Sequence, residues 1–82
     1  MKIPRDLSAD DLIKLLRKQY GYEVTRQVGS HIRLTSNLKG EHNVTIPRHS
    51  FLKIGTLNSI LSDIAVHFEK DKQVLIKELF NQ

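Results

Sequence analysis

The chain has 82 residues, of which 39% are hydrophobic, so it is long enough for one small domain with a packed core and too apolar for a disordered protein. It contains no cysteine, which excludes disulfides and thiolate metal sites and favours an intracellular, cytoplasmic setting. The formal net charge of +4 is uneven, because residues 1–53 hold ten Lys or Arg against five Asp or Glu, and this excess suits a polyanionic partner.

Two further classes of protein, secreted proteins and membrane proteins, are not expected from the sequence. The N-terminal residues 1–6 carry charges with no apolar segment behind them, unlike a signal peptide. No apolar run approaches the ~20 residues that a membrane-spanning helix needs. We therefore expect neither secretion nor a membrane association.

The first predicted helix runs from about Ala9 to Gln19. Ser8 precedes it and can accept a hydrogen bond from the backbone N–H of Asp11, as an N-cap residue does. Gly21 supplies the left-handed residue that commonly ends a helix. Apolar residues recur between these ends with a helical period, namely Leu12, Ile13, Leu15, Leu16 and Tyr20.

Three strands are predicted next, over Tyr22–Val28, His31–Thr35 and His42–Ile46. The tight turn at Gly29-Ser30 makes the first two strands antiparallel, and Pro47 ends the third because it cannot donate a ladder hydrogen bond. In the first strand the predicted apolar face, interrupted by an arginine, holds Tyr22, Val24, Arg26 and Val28.

A loop from Pro47 to Gly55 is predicted to lead into a second helix, with Thr56 as its N-cap. A third, shorter helix is predicted after Asp71, carrying Val74, Leu75, Leu79 and Phe80. The second helix has a clear apolar stripe, consisting of Leu57, Ile60, Leu61, Ile64, Ala65 and Phe68.

Together these elements predict an α+β, α-β-β-β-α fold with a three-stranded antiparallel sheet, helices on one face, and a short C-terminal helix. Side chains alternate across a strand, so each face of the sheet can be assigned. The buried set is expected to contain Leu12, Leu16, Val24, Ile32, Leu34, Val44, Ile46, Ile60 and Ile64. The face near solvent is expected to carry His31, Arg33, Thr35, Asn43 and Thr45.

His31 is the first candidate for chemistry. It follows a glycine turn, shares a strand face with Arg33, and lies in the basic part of the chain. RNA cleavage by the 2′-hydroxyl needs a base, an acid for the leaving oxygen, and cationic donors for the phosphorane. Histidine, with an unperturbed pKa of about 6.5, suits the first two roles, and Arg33 or Arg48 suits the third. The sequence shows no second residue that could act as the acid. The alternative interpretation is that His31 is an ordinary surface histidine without a catalytic role.

His49 is the second candidate for chemistry. The alternative interpretation is a loop histidine whose ring bonds to a nearby carbonyl. His42 and His67 are expected to have no functional role. No pair of histidines has a ligand-like spacing, and no clustered carboxylates assist, so neither a metal nor a cofactor is expected.

The sequence resembles the HicA family of bacterial toxins over roughly residues 5–65. The resemblance is carried by three segments in order, namely Gly29-Ser30-His31, then Val44-Thr45-Ile46-Pro47-Arg48-His49, then Lys53-Ile54-Gly55-Thr56-Leu57 with Ile60-Leu61. It implies a double-stranded-RNA-binding-domain-like fold, with residues 1–82 as a single HicA-like domain and about 66–82 as a C-terminal helical extension. The sequence departs from typical members at Ile32-Arg33, directly after the histidine.

The resemblance also implies a function. It suggests the toxin of a type II toxin–antitoxin system, a ribosome-independent and metal-independent endoribonuclease that cuts mRNA, with His31 as the catalytic histidine. The partner would be a HicB antitoxin, which covers the toxin and through which the complex binds operator DNA. The residues expected to contact RNA are Gly29, Ser30, Arg33, Arg48, His49 and Lys53.

Two other functions remain open from the residues alone. One is a non-catalytic RNA-binding module, in which His31 and Arg33 only contact phosphates or 2′-hydroxyls. The other is an interaction protein that docks a partner through its open sheet face or an edge strand.

Overall fold

Along residues 3–80, the part of the chain that the computed structural model describes, three strands follow one helix and precede two more. This order confirms the predicted α-β-β-β-α fold with an additional C-terminal helix. No helix within the described range is long and apolar enough to cross a membrane. The elements are α1 (Ala9–Tyr20), β1 (Glu23–Val28), β2 (His31–Ser36), β3 (His42–Pro47), α2 (Ile54–His67) and α3 (Lys72–Phe80).

Both ends of α1 are formed as predicted. The Ser8 hydroxyl accepts a hydrogen bond of 3.0 Å from the backbone N–H of Asp11. Gly21 adopts a left-handed conformation with φ of 68°, and its N–H donates to the carbonyl of Leu16. The helix therefore begins and ends where local sequence signals place it.

The three strands form one antiparallel sheet in the order β1-β2-β3. Ile32 and Leu34 of β2 are buried on one face together with Val44 and Ile46 of β3, while the alternate residues of both strands face outward. The helices cover the buried face, because their own buried side chains belong to the same core. The predicted division into a covered and an open face is confirmed for β2 and β3.

The prediction that Val24 is buried is wrong. Its side chain is 46% exposed, and every residue of β1 is exposed. A register shift between Val24 and Arg26 marks a β-bulge, so strict alternation does not hold through this strand. The aromatic ring of Tyr22, just before the strand, is fully buried instead.

The predicted N-cap of the second helix is also wrong. The helix α2 begins at Ile54 rather than after Thr56, and Lys53 occupies the cap position without a side-chain hydrogen bond. The preceding loop is held by Leu52, which is 4% exposed and whose N–H donates to the carbonyl of Leu7 over 2.8 Å. Tertiary contacts therefore start the helix earlier than the local capping preference of threonine indicates.

The helix α3 is anchored by its buried apolar residues and by a polar cluster around Glu78. The Tyr20 hydroxyl donates to Glu78, and the ammonium of Lys70 lies 2.5 Å from the same carboxylate oxygen. The Lys70 hydrogen bond is the main cause that lowers the pKa of Glu78, and the same bond raises the pKa of Lys70. Burial is the main cause that raises the pKa of Tyr20, with the Glu78 hydrogen bond second.

We expect Glu78→Gln to lower the free energy of unfolding near neutral pH by up to about 1 kcal/mol, the range of partly exposed ion pairs. A carboxylate with a lowered pKa stabilises the fold above its ordinary pKa of 4.5, and this contribution is lost as the pH falls through the lower folded value. The raised pKa of Lys70 has the opposite consequence, because its stabilisation is present below 10.5 and is lost as the pH rises through the higher folded value.

Urea unfolding near neutral pH and at about pH 3 measures the Glu78 effect, and the difference between wild type and variant should shrink in acid. The matched control is Glu69→Gln, whose carboxylate is 3.4 Å from Lys39 and 73% exposed, and which should have a smaller effect. Equal effects of the two substitutions would contradict the prediction.

Candidate functional site

His31 is the first residue of β2, and the ends of all three strands meet at its position. Its backbone pairs with Val28 at the end of β1 on one side and with Pro47 at the end of β3 on the other. The side chain is exposed on the open face of the sheet. A substrate can therefore reach the imidazole without any movement of the fold.

The turn before His31 requires glycine for a conformational reason. Gly29 has φ of 58°, a left-handed value that side-chain-bearing residues rarely adopt. No atom lies within 4 Å of the position that a Cβ would occupy, so the restriction comes from the backbone and not from crowding.

We expect Gly29→Ala to destabilise the protein by about 1 kcal/mol, the cost of a left-handed alanine. Gly55→Ala is the matched control, because Gly55 lies in α2, has open space around its Cβ position and no left-handed φ. The control should stabilise the helix by up to about 1 kcal/mol. Thermal unfolding of both variants measures the difference, and a shift of the same sign in both would refute this account of the turn.

A depression of about 170 Å³ on the open face is lined in part by His31. Thr45 of β3 stands opposite Arg33 of β2, and Arg33 stands opposite Arg26 of β1. His31 and Arg33 were both predicted to lie on this face, and the structure brings them together. The lining consists of Arg26, Val28, His31, Arg33 and Thr45.

Arg26 was not among the predicted site residues. Strict alternation along β1 predicts that Arg26 shares a face with Val24 and interrupts an apolar stripe there. The bulge separates the two, because Val24 pairs with Leu34 whereas Arg26 pairs with Arg33. The one sequence feature that could have placed Arg26 in the site is its charge, because a charged residue within a strand's apolar face indicates that the face is exposed or irregular.

The depression carries positive charge without a compensating carboxylate. Within residues 3–80 the ion pairs of arginine involve Arg17 with Glu23 and Arg48 with Asp10, and neither Arg26 nor Arg33 takes part in one. Two guanidiniums beside an exposed imidazole form a surface that can bind a phosphate.

A second depression, of about 370 Å³, is lined by Arg48 and His49 together with Ser8, Asp10 and Ser50. The two depressions are linked through the backbone, because the N–H of Arg48 donates to the carbonyl of Ser30 over 2.6 Å. The Nε of Arg48 is 3.9 Å from Asp10, so its charge is partly compensated. The backbone carbonyl of His49 accepts from Ala9, and its imidazole makes no hydrogen bond to the described residues.

The predicted site residues are thus divided among four places. His31 and Arg33 share the first depression, Arg48 and His49 share the second, and the Gly29-Ser30 turn joins them. Lys53 is exposed at the N-terminal end of α2 and lines neither depression.

The other two histidines pack between β3 and α2. The Nδ1 of His42 is 2.7 Å from the hydroxyl of Tyr22, its Nε2 is 3.4 Å from Asp63, and its ring stacks on His67 with a centroid distance of 4.4 Å. Burial is the main cause that raises the pKa of Tyr22, whose hydroxyl shares this hydrogen bond with His42. Within residues 3–80 no three His, Asp or Glu side chains are grouped so as to hold a metal ion.

The fold and the site define a small α+β domain whose open sheet face presents a histidine within positive charge, a surface suited to a nucleic-acid backbone. The family model for the HicA toxin of bacterial toxin–antitoxin systems matches residues 9–66, which include all three segments that carry the resemblance. The chain belongs to the HicA toxin family. No curated protein and no solved structure matches it. Membership makes the chain a toxin of a toxin–antitoxin system and implies pairing with an antitoxin, in general HicB.

Proposed function

We propose that this toxin is a ribosome-independent endoribonuclease that cleaves mRNA with His31 as its catalytic residue. One observation carries the proposal: an exposed imidazole lies in a depression with two arginines that have no carboxylate partner within residues 3–80. Family membership supports it, because HicA toxins generally cleave mRNA.

The proposed reaction is a transesterification within the RNA. The imidazole of His31 removes the proton of a 2′-hydroxyl, and the 2′-oxygen then bonds to the adjacent phosphorus as the bond to the 5′-oxygen breaks. The products are a 2′,3′-cyclic phosphate and a 5′-hydroxyl. The guanidinium of Arg33 stabilises the negative charge that builds on the phosphate oxygens.

A single histidine completes the proton transfers. The lining of the depression contains no second histidine and no carboxylate. The leaving 5′-oxygen therefore takes its proton from the His31 imidazolium, which returns the imidazole to its neutral form for the next cycle. Because the substrate supplies the nucleophile, this scheme assigns no role to a metal ion.

The remaining predicted contacts extend the site along the RNA. Arg48 and His49 bind a neighbouring nucleotide in the second depression, while the Gly29-Ser30 turn holds His31 in position. Lys53 contacts a phosphate farther along the RNA. We also propose that the protein is one cytoplasmic domain, that a HicB antitoxin covers the active face, and that the complex binds operator DNA through the antitoxin.

A second candidate function is RNA binding without cleavage. It is favoured by one observation, the lack of a second general acid or base in the lining of the depression. In that case His31 and Arg33 contact phosphates and 2′-hydroxyls only.

The test is incubation of the purified full chain with a long single-stranded RNA in EDTA, followed by analysis of the product ends. Cleavage that leaves 2′,3′-cyclic phosphate and 5′-hydroxyl ends, and that the cognate antitoxin blocks, is the expected result. The control is the same sequence with 2′-deoxyribose, which should bind without being cut. Binding without cleavage of the RNA would establish the second function, and cleavage of the deoxy control would exclude the 2′-hydroxyl mechanism.

A further inference from the structure

The β-bulge in β1 places two arginines directly opposite each other on the open face. Arg26 pairs with Arg33 because the register shifts by one residue between Val24 and Arg26. Directly opposite residues of an antiparallel pair have Cβ atoms about 5 Å apart, so their guanidiniums extend into the same space. Both line the depression that contains His31.

This pairing is unfavourable for the protein alone. Like charges directly opposite each other destabilise a strand pair, and an adjacent carboxylate normally relieves the repulsion. Within residues 3–80 neither arginine has such a partner, and the nearest acidic residue of β1, Glu23, pairs with Arg17. A local cost of this kind is offset when an anion occupies the space between the two cations.

We propose that Arg26 and Arg33 form a two-guanidinium clamp that holds the phosphate to be cleaved beside His31. The proposal rests on the proposed function, since it names the group of the RNA that each arginine contacts. His31 lies two residues from Arg33 along β2, a separation of about 7 Å, which one nucleotide spans. A guanidinium offers paired donors that match the two non-bridging oxygens of a phosphodiester, so two of them fix its orientation to the imidazole.

In this proposal Arg26 increases the rate of cleavage as well as the affinity for RNA. Negative charge on the phosphate oxygens increases as the 2′-oxygen attacks, so donors already in place bind the transition state more strongly than the ground state. Lysine preserves the charge of arginine but lacks the paired geometry, and it should restore only part of the function.

The experiment compares Arg26→Ala, Arg26→Lys and Arg5→Ala in single-turnover cleavage of single-stranded RNA at saturating enzyme. Arg5 is the matched control, because it is an exposed arginine that lines a different groove, with Ile3 and Lys72. Arg26→Ala should lower the saturating rate by about 100-fold, the loss typical of removing one preorganised donor, whereas Arg5→Ala should stay within about twofold. If Arg26→Ala cleaves as fast as Arg5→Ala, the clamp is wrong while the proposed ribonuclease stands.

A binding experiment tests the clamp even if the wild-type protein does not cleave RNA. The affinity for a 2′-deoxy oligonucleotide is measured for Arg26→Ala, Arg33→Ala and the double variant, with circular dichroism to verify folding. If the two arginines contact one phosphate, their losses of affinity should be non-additive. The double variant should then bind only slightly more weakly than the single variant with the lower affinity. Strictly additive losses would show that the arginines contact separate phosphates and would overturn the clamp.

Discussion

Replacement of His31 by alanine is expected to lower the rate of RNA cleavage by about 10³-fold, within the range of a general acid–base residue. RNA affinity should change little, because the neighbouring arginines supply most of the contact with phosphate. The fold should not change either, since the His31 side chain is exposed and makes no hydrogen bond to the described residues. Single-turnover rates and binding to a 2′-deoxy RNA analogue separate the two effects.

The matched control for His31→Ala is His49→Ala, which replaces an exposed histidine in the second depression. It should weaken binding while it leaves the saturating rate within about tenfold, because it contacts the substrate away from the reacting phosphate. Equal loss of cleavage in both variants would show that His31 has no special role. Full cleavage by His31→Ala would remove it from the mechanism.

The second large effect is expected from Leu34→Ala, which should lower the free energy of unfolding by about 2–5 kcal/mol. Leu34 is fully buried in the central strand β2, where it pairs with Val24 on one side and Val44 on the other. Native domains have only about 5–15 kcal/mol of stability in total, so this loss would leave a small domain close to unfolding at 37 °C.

Urea unfolding followed by circular dichroism measures this loss, and Val66→Ala is the matched control. Val66 is 77% exposed, so truncating it should change stability by no more than about 0.5 kcal/mol. A loss below about 1 kcal/mol for Leu34→Ala would mean that the core beneath the open face relaxes to fill the space. Such a result would contradict the rigid scaffold that positions His31 here.

Much of the fold was predictable from local patterns. Ser8 and Gly21 mark the ends of α1 because capping and left-handed termination depend on residues a few positions apart. Alternation along β2 and β3 separated the buried residues from the open face that carries His31 and Arg33, and the structure agrees. The glycine turn before His31 was predictable for the same reason, since its geometry is local.

The failures of sequence reasoning have two physical causes. A β-bulge adds one residue to one strand, and neither composition nor period reveals where it falls, so Val24 was placed in the core and Arg26 was left out of the site. The start of α2 was misplaced because packing of the loop before it outweighed the capping preference of Thr56.

By itself, the sequence determined the order of elements, the exposed face of β2, the placement of His31 at the strand start, and, through three short segments, membership in the HicA family. These features depend on residues that are close in the chain. Only the tertiary structure decided that Arg26 lies opposite Arg33, and that Arg48 bonds to the carbonyl of Ser30. Both depend on the register of strands and on a loop that returns to the sheet. Contacts between distant residues are set by the packing of the whole domain, which no local pattern encodes.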